Sequence, residues 1–132
     1  MPPAKRIMVD MSVTLLHHGH IRILKAASEL GQVIVALTTD DEIEAHKGYA
    51  PELSFSERKE IIEAIKYVAE VVPSSWLIDE AFLDQHNIDL LVHGDDNSNP
   101  ISAERLVVLP RTTGISSDLI RSKILRVGAA ND

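Results

Sequence analysis

The sequence predicts an α/β domain: a doubly wound parallel sheet of five strands with helices on both faces. Three observations predict it. Short apolar, β-branched runs alternate with amphipathic stretches along all 132 residues. The first crossover, between the runs starting at Arg6 and Gln32, has the length of a right-handed parallel βαβ unit. Four polar, glycine-containing loops (11–20, 38–53, 94–99 and 111–117) fall where such a sheet collects ligands, at the carboxyl ends of its strands.

Taken in order, residues 6–9 form a mostly apolar strand. A helix follows from His18 or His20 to Leu30, with Ile21, Leu24, Ala27 and Leu30 at helical spacing. Gly31 suits its left-handed C′ position. Residues 32–37 (QVIVAL) form a buried strand. Residues 40–45 can form a short helix with its acids early, and 46–53 a loop. Residues 54–68 form a second clear helix, capped by Ser54 or Ser56, with Ile61, Ile62, Ile65 and Val68 as its stripe. Residues 70–73 are a short strand. Residues 79–86 are a helix that Asp79 can cap. Residues 90–93 and 106–109 are the remaining strands. A final helix follows Ser117, with Leu119, Ile120, Ile124 and Leu125 apolar, and 128–132 are expected to fray. The whole chain, 1–132, reads as a single domain of Rossmann-like type.

Composition narrows the function classes. Thirteen Lys and Arg against 20 Asp and Glu give a net charge of −7, which disfavours nucleic acid and anionic membrane as partners. A small anionic ligand then needs positive potential concentrated locally. No apolar run approaches the ~20 residues of a membrane span, and no signal-peptide pattern is read at the start. The absence of cysteine removes disulfides, thiolate metal sites and cysteine nucleophiles, and fits a cytoplasmic protein.

The loops carry the chemistry. His17 and His20 flank Gly19 where the first strand gives way to the first helix. Paired imidazoles there can donate N–H bonds to phosphate oxygens, close to a helix N-terminus that already favours an anion. They can equally cap or pack, and an i, i+3 zinc pair is a weaker third reading without further ligands nearby. Lys47, beside Gly48 in a loop, can act as a point charge on a triphosphate or sit in solvent. Arg111-Thr112-Thr113-Gly114-Ile115-Ser116-Ser117 offers a guanidinium, hydroxyls and the amides of a helix start. Gly94-Asp95-Asp96 ends a buried strand; its carboxylates can accept from a base amino group, hold a metal through water, or form a turn.

Together the segments LLHHGHIRILKAA, KGYAPELSFSERKEII, IKYVAEVVPSSW, FLDQHNIDLLVHGDD and LPRTTGISSDLIRSKIL resemble the cytidylyltransferases of the HxGH nucleotidyltransferase superfamily. These are the enzymes that activate glycerol 3-phosphate, phosphocholine and phosphoethanolamine. The segments come in the family's order and cover nearly all of the chain. The resemblance implies transfer of CMP from CTP to a small phosphorylated alcohol or phosphonate, with release of pyrophosphate and no covalent enzyme intermediate. It implies His17, His20, Lys47 and Arg111 as catalytic residues. It implies Ser12, Val13, Asp95, Thr112, Gly114, Ile115 and Ser116 as further nucleotide contacts, Mg²⁺ arriving with CTP, and a homodimer. Asp10 is a further acidic candidate for a metal. Met11, Thr14, Ala69 and Thr113 stand where the family usually has Gly, Asp, Asp and Glu. Those departures keep open a nucleotide-binding homologue with weak or no activity; an ATP-dependent adenylyltransferase is the other alternative.

Overall fold

The computed structural model describes residues 4–94, 98–110 and 112–131, the last five of them by backbone alone. The elements run β1 (Arg6–Met11), α1 (His18–Ser28), β2 (Gln32–Thr38), α2 (Asp40–Lys47), α3 (Phe55–Glu63), β3 (Glu70–Ser74), α4 (Glu80–Gln85), β4 (Leu90–Gly94), β5 (Leu106–Leu109) and α5 (Ser117–Asn131). A 3₁₀ turn at Ala103–Arg105 leads into β5.

All five strands are parallel, in the order β3-β2-β1-β4-β5. The order reverses between β1 and β4, which opens a crevice at the carboxyl ends of those two strands. β1 is central, so Ile7, Met8 and Val9 are fully buried in succession rather than alternately. Their side chains still alternate between two cores. Ile7 and Val9 join Leu24 and Ala27 of α1 and Ile62 of α3 on one face. Met8 joins Ile34, Leu91 and Leu83 of α4 on the other. Covering both faces is what a parallel sheet requires, and each buried Leu or Ile side chain contributes on the order of 2 kcal/mol.

Several boundaries differ from expectation, each for a physical reason. α3 ends at Glu63 although the apolar spacing continues to Val68. Ile65 and Val68 donate to the carbonyls of Ile62 and Ile65, three residues back, so the chain tightens into turns and descends into β3. α2 runs on to Lys47, which is therefore the last helical residue and not a loop residue; Gly48 is its left-handed cap, at φ 79°. Gly31 is not left-handed. A Cβ there would stand 2.3 Å from the Lys5 carbonyl oxygen, so this glycine permits a close approach of two backbones. Leu30 is exposed, and Leu24 and Ala27 carry the buried side of α1. Residues 128–131, expected to fray, continue the helical backbone of α5.

Candidate active site

The crevice holds a cavity of about 1080 Å³, bounded by the carboxyl ends of the strands and the loops that follow them. The expected loops converge on it. Ser12, His17, His20, Lys47, Thr112, Ile115 and Ser116 line it together, although they span more than a hundred positions of sequence. Gly114 does not line it; it is an exposed left-handed turn residue, at φ 81°. Asp95 and Arg111 lie outside the described residues.

Val13 is not among the residues that line the cavity. It takes φ 48°, in the region that a β-branched side chain avoids, and its side chain is 3% exposed and packed in the core below the loop. Such a backbone costs on the order of 1–3 kcal/mol and persists only where the surroundings hold it. Arg58 provides the hold. Its buried guanidinium donates to the Ser12 carbonyl oxygen at 2.7 Å and to that of Thr38 at 2.9 Å, and it pairs with Asp40 at 2.6 Å. The loops after β1 and β2 are thus fixed to α3 by one side chain.

The two histidines act first on their own helix. His17 is the N-cap of α1, and its Nδ1 accepts from the Gly19 amide at 3.1 Å. His20 reaches back, and its Nδ1 accepts from the His17 amide at 3.1 Å. This is a capping box built from imidazoles. With each Nδ1 accepting a backbone N–H, each neutral ring carries its proton on Nε2 and can donate from there. The ring centroids are 3.9 Å apart. Burial, and then the charge on His17, push the His20 pKa down to about 4, so this ring is neutral near pH 7. Gly19 is needed for the fold of this turn, because a Cβ would meet the His17 ring at 2.8 Å. The capping and ligand readings of these histidines are compatible: Nδ1 serves the helix and Nε2–H is the donor.

The amino end of α5 closes another side. Ser116 accepts from the Leu119 amide at 3.1 Å. The Ser117 hydroxyl accepts from the Leu15 amide and donates to the Leu15 carbonyl oxygen at 2.7 Å, joining α5 to the histidine loop. The Ser117 hydroxyl is thus committed to the backbone as acceptor and donor, whereas Ser116 accepts one bond and keeps its O–H to donate.

A polar cluster on the cavity floor had no local signal in the sequence. Asp10, at the end of β1, pairs through Oδ1 with His93 Nδ1 of β4 at 2.5 Å. Its Oδ2 accepts from Asn99 at 3.1 Å, and Asn99 in turn accepts from the Ile78 amide. Both oxygens of the acidic metal candidate are therefore engaged by protein donors. Among the described residues no group of three or more His, Cys, Asp or Glu side chains is arranged to hold a metal ion. Trp76 and Leu77 border this end of the cavity, and Trp76 stacks on His46 of α2 at 4.7 Å between ring centroids.

Comparison with known proteins agrees with this architecture. The model of a family described as cytidylyltransferase-like matches residues 14–123. The chain is 36% identical over 125 residues to a glycerol-3-phosphate cytidylyltransferase of Bacillus subtilis (strain 168), covering 91% of this chain and 97% of that protein. It is 33% identical over 138 residues to an ethanolamine-phosphate cytidylyltransferase of Mus musculus, covering 96% of this chain but 34% of that longer protein. A FAD synthase of Thermococcus sibiricus (strain DSM 12597 / MM 739) is 36% identical over 100 residues, 74% of this chain and 68% of that one. Among solved structures, a lipopolysaccharide core biosynthesis protein from Thermoplasma volcanium GSS1 shares the fold, with TM-score 0.63 and 21% identity over 95% of this chain and 89% of that one.

Proposed function

The chain belongs to the cytidylyltransferase-like family and is a transferase; on that premise we propose that it transfers CMP from CTP to a small phosphorylated alcohol or phosphonate. The observation that carries this reading is that His17 and His20, each with Nδ1 taken by a backbone amide, line one cavity with Lys47, Thr112 and Ser116. An oxygen of the acceptor's phosphate or phosphonate attacks the α-phosphorus of CTP. The new P–O bond forms as the bond to the β-phosphate oxygen breaks, and pyrophosphate leaves with the electron pair. His17 and His20 donate hydrogen bonds to the phosphate oxygens as charge builds on them, and Lys47 supplies a positive charge. Arg111, Thr112 and Ser116 hold the nucleotide phosphates, while Ser12, Asp95 and Ile115 border the nucleoside. The floor around Asp10, His93 and Trp76 receives the part of the acceptor beyond its phosphate.

In this reading Mg²⁺ arrives with CTP, as the counter-ion of its triphosphate. Association of two copies is part of the same proposal.

The test is pyrophosphate release by the purified chain with Mg²⁺, CTP and a panel of glycerol 3-phosphate, phosphoethanolamine, phosphocholine and a phosphonate. One acceptor is expected to give turnover, and His17→Ala to lower kcat by about 10²–10³-fold. Turnover with ATP in place of CTP would make the chain an adenylyltransferase. CTP binding without turnover on any acceptor would make it a nucleotide-binding homologue. Neither binding nor turnover rejects the reading altogether.

A further inference from the structure

The segment joining α2 to α3, residues 48–53, begins directly after Lys47, and none of its residues is buried. A Cβ on Gly48 would meet nothing within 4 Å. Its far end is tied down where Arg58 donates to the Leu53 carbonyl oxygen at 3.1 Å. Its middle is tied down by Arg121 of α5. That guanidinium grips both carboxylate oxygens of Glu52, at 2.5 and 2.8 Å. It also donates to the Tyr49 hydroxyl at 3.3 Å and lies over the Tyr49 ring, 4.9 Å from its centroid. A second nitrogen reaches Thr14 Oγ1 at 3.3 Å, and Asp118 on the same helix accepts at 2.7 Å. Thr14 is itself buried, three residues before His17.

A lone exposed ion pair contributes little. This contact differs in kind. It is two-toothed, only 22% of the Arg121 side chain is exposed, and it joins three separate segments. Those segments carry the two halves of the cation set: the histidine loop and the end of the Lys47 helix.

We infer that Arg121 is a positioning residue. By clasping Tyr49 and Glu52 to Thr14, it fixes the stretch beyond Lys47 and thereby holds the Lys47 ammonium at the phosphate site. The inference rests on the phosphate role proposed above for Lys47. Thr14 takes part as a neutral acceptor, so the charge of Arg121 is met by Glu52 and Asp118. Lysine could not replace Arg121, since an ammonium lacks the fork that spans two carboxylate oxygens and a hydroxyl at once.

The test uses the full chain as wild type, Arg121→Ala, Arg121→Lys, Glu52→Gln, Lys47→Ala and the Arg121→Ala/Lys47→Ala double variant. Amide hydrogen exchange over residues 48–53 is read without nucleotide, and CTP affinity by calorimetry. Arg121→Ala is expected to speed exchange over 48–53 at least tenfold while the central strands stay protected. It should weaken CTP about tenfold in the wild-type background and less than twofold once Lys47 is gone. Arg121→Lys and Glu52→Gln should fall between wild type and Arg121→Ala. Unchanged exchange over 48–53, or equal losses of affinity with and without Lys47, would overturn the clasp while leaving the functional proposal intact. A wild-type chain that binds no CTP would overturn that proposal, and the phosphate role of the clasp with it. Purely structural damage would lower protection across the whole sheet and would not depend on Lys47.

Discussion

His20 sets an acid limit on the molecule. Its folded pKa, about 4, lies below the ordinary 6.5, so the unfolded chain binds a proton more readily between those values. Stability from the neutral ring is therefore complete above pH 6.5 and is lost as pH falls toward 4, by on the order of 3 kcal/mol across the full window. Urea unfolding at pH 6.5 and 4.5 should show a larger loss for wild type than for His20→Asn, whose amide oxygen can still accept from the His17 amide. Equal losses would mean that His20 is not the titrating group. Gly31→Ala makes a second residue-scale prediction. Its Cβ meets a carbonyl oxygen of backbone, which cannot swing aside, so about 1–3 kcal/mol of stability should be lost with no change in CTP affinity. Sequence alone singled out Gly31 but attached the wrong reason, because a left-handed turn and a close approach select the same residue. The backbone of Val13 was not readable either: its φ of 48° turns the side chain into the core, and nothing in a run of letters announces that.

At the scale of elements, Arg58 is the most demanding side chain. It is fully buried, it belongs to α3, and it serves the loops after β1 and β2. Arg58→Ala would leave the Asp40 carboxylate without its ion-pair partner and the carbonyls of Ser12, Thr38 and Leu53 without their donor. The cost should be about 3–5 kcal/mol in urea unfolding, with weaker CTP binding because Val13 and Ser12 lose their support. Most elements were readable because their determinants are local. Ser54 and Glu57 form a reciprocal cap, and Asp79 caps Phe82, both within three residues. The early end of α3 was not readable, since apolar spacing continues through Ile65 and Val68 while tertiary geometry bends the chain. Lys47 at a helix end was missed by two residues, a difference that decides which neighbours can hold it.

Across the whole molecule, a chain of net charge −7 is proposed to bind a polyanion. Its binding must then come from donors focused in one crevice and not from overall attraction. CTP with Mg²⁺ at a hundred times its dissociation constant should stabilise the fold by about 2.7 kcal/mol, roughly 10 °C in Tm for a domain of this size. Chelation of Mg²⁺ by EDTA should remove most of that shift, and an unchanged Tm in saturating CTP would contradict binding. The alternation of strands and helices made the sheet and its carboxyl-edge site legible in advance. The cluster of Asp10, His93 and Asn99 was hidden because its members are 83 and 89 positions apart and meet only through the pairing of β1 with β4.

The bond pair between Leu15 and Ser117 spans 102 positions. A ribosome adding 5–20 residues per second makes the first of these residues roughly 5–20 s before the second. Throughout that interval the histidine turn must wait in a nascent chain without the helix that latches it. Pairing of β1 with β2 needs far shorter loops to close and can precede it. The latch on the histidine turn thus forms only once Ser117 has been made, so strands of the sheet can pair before this corner of the crevice is closed.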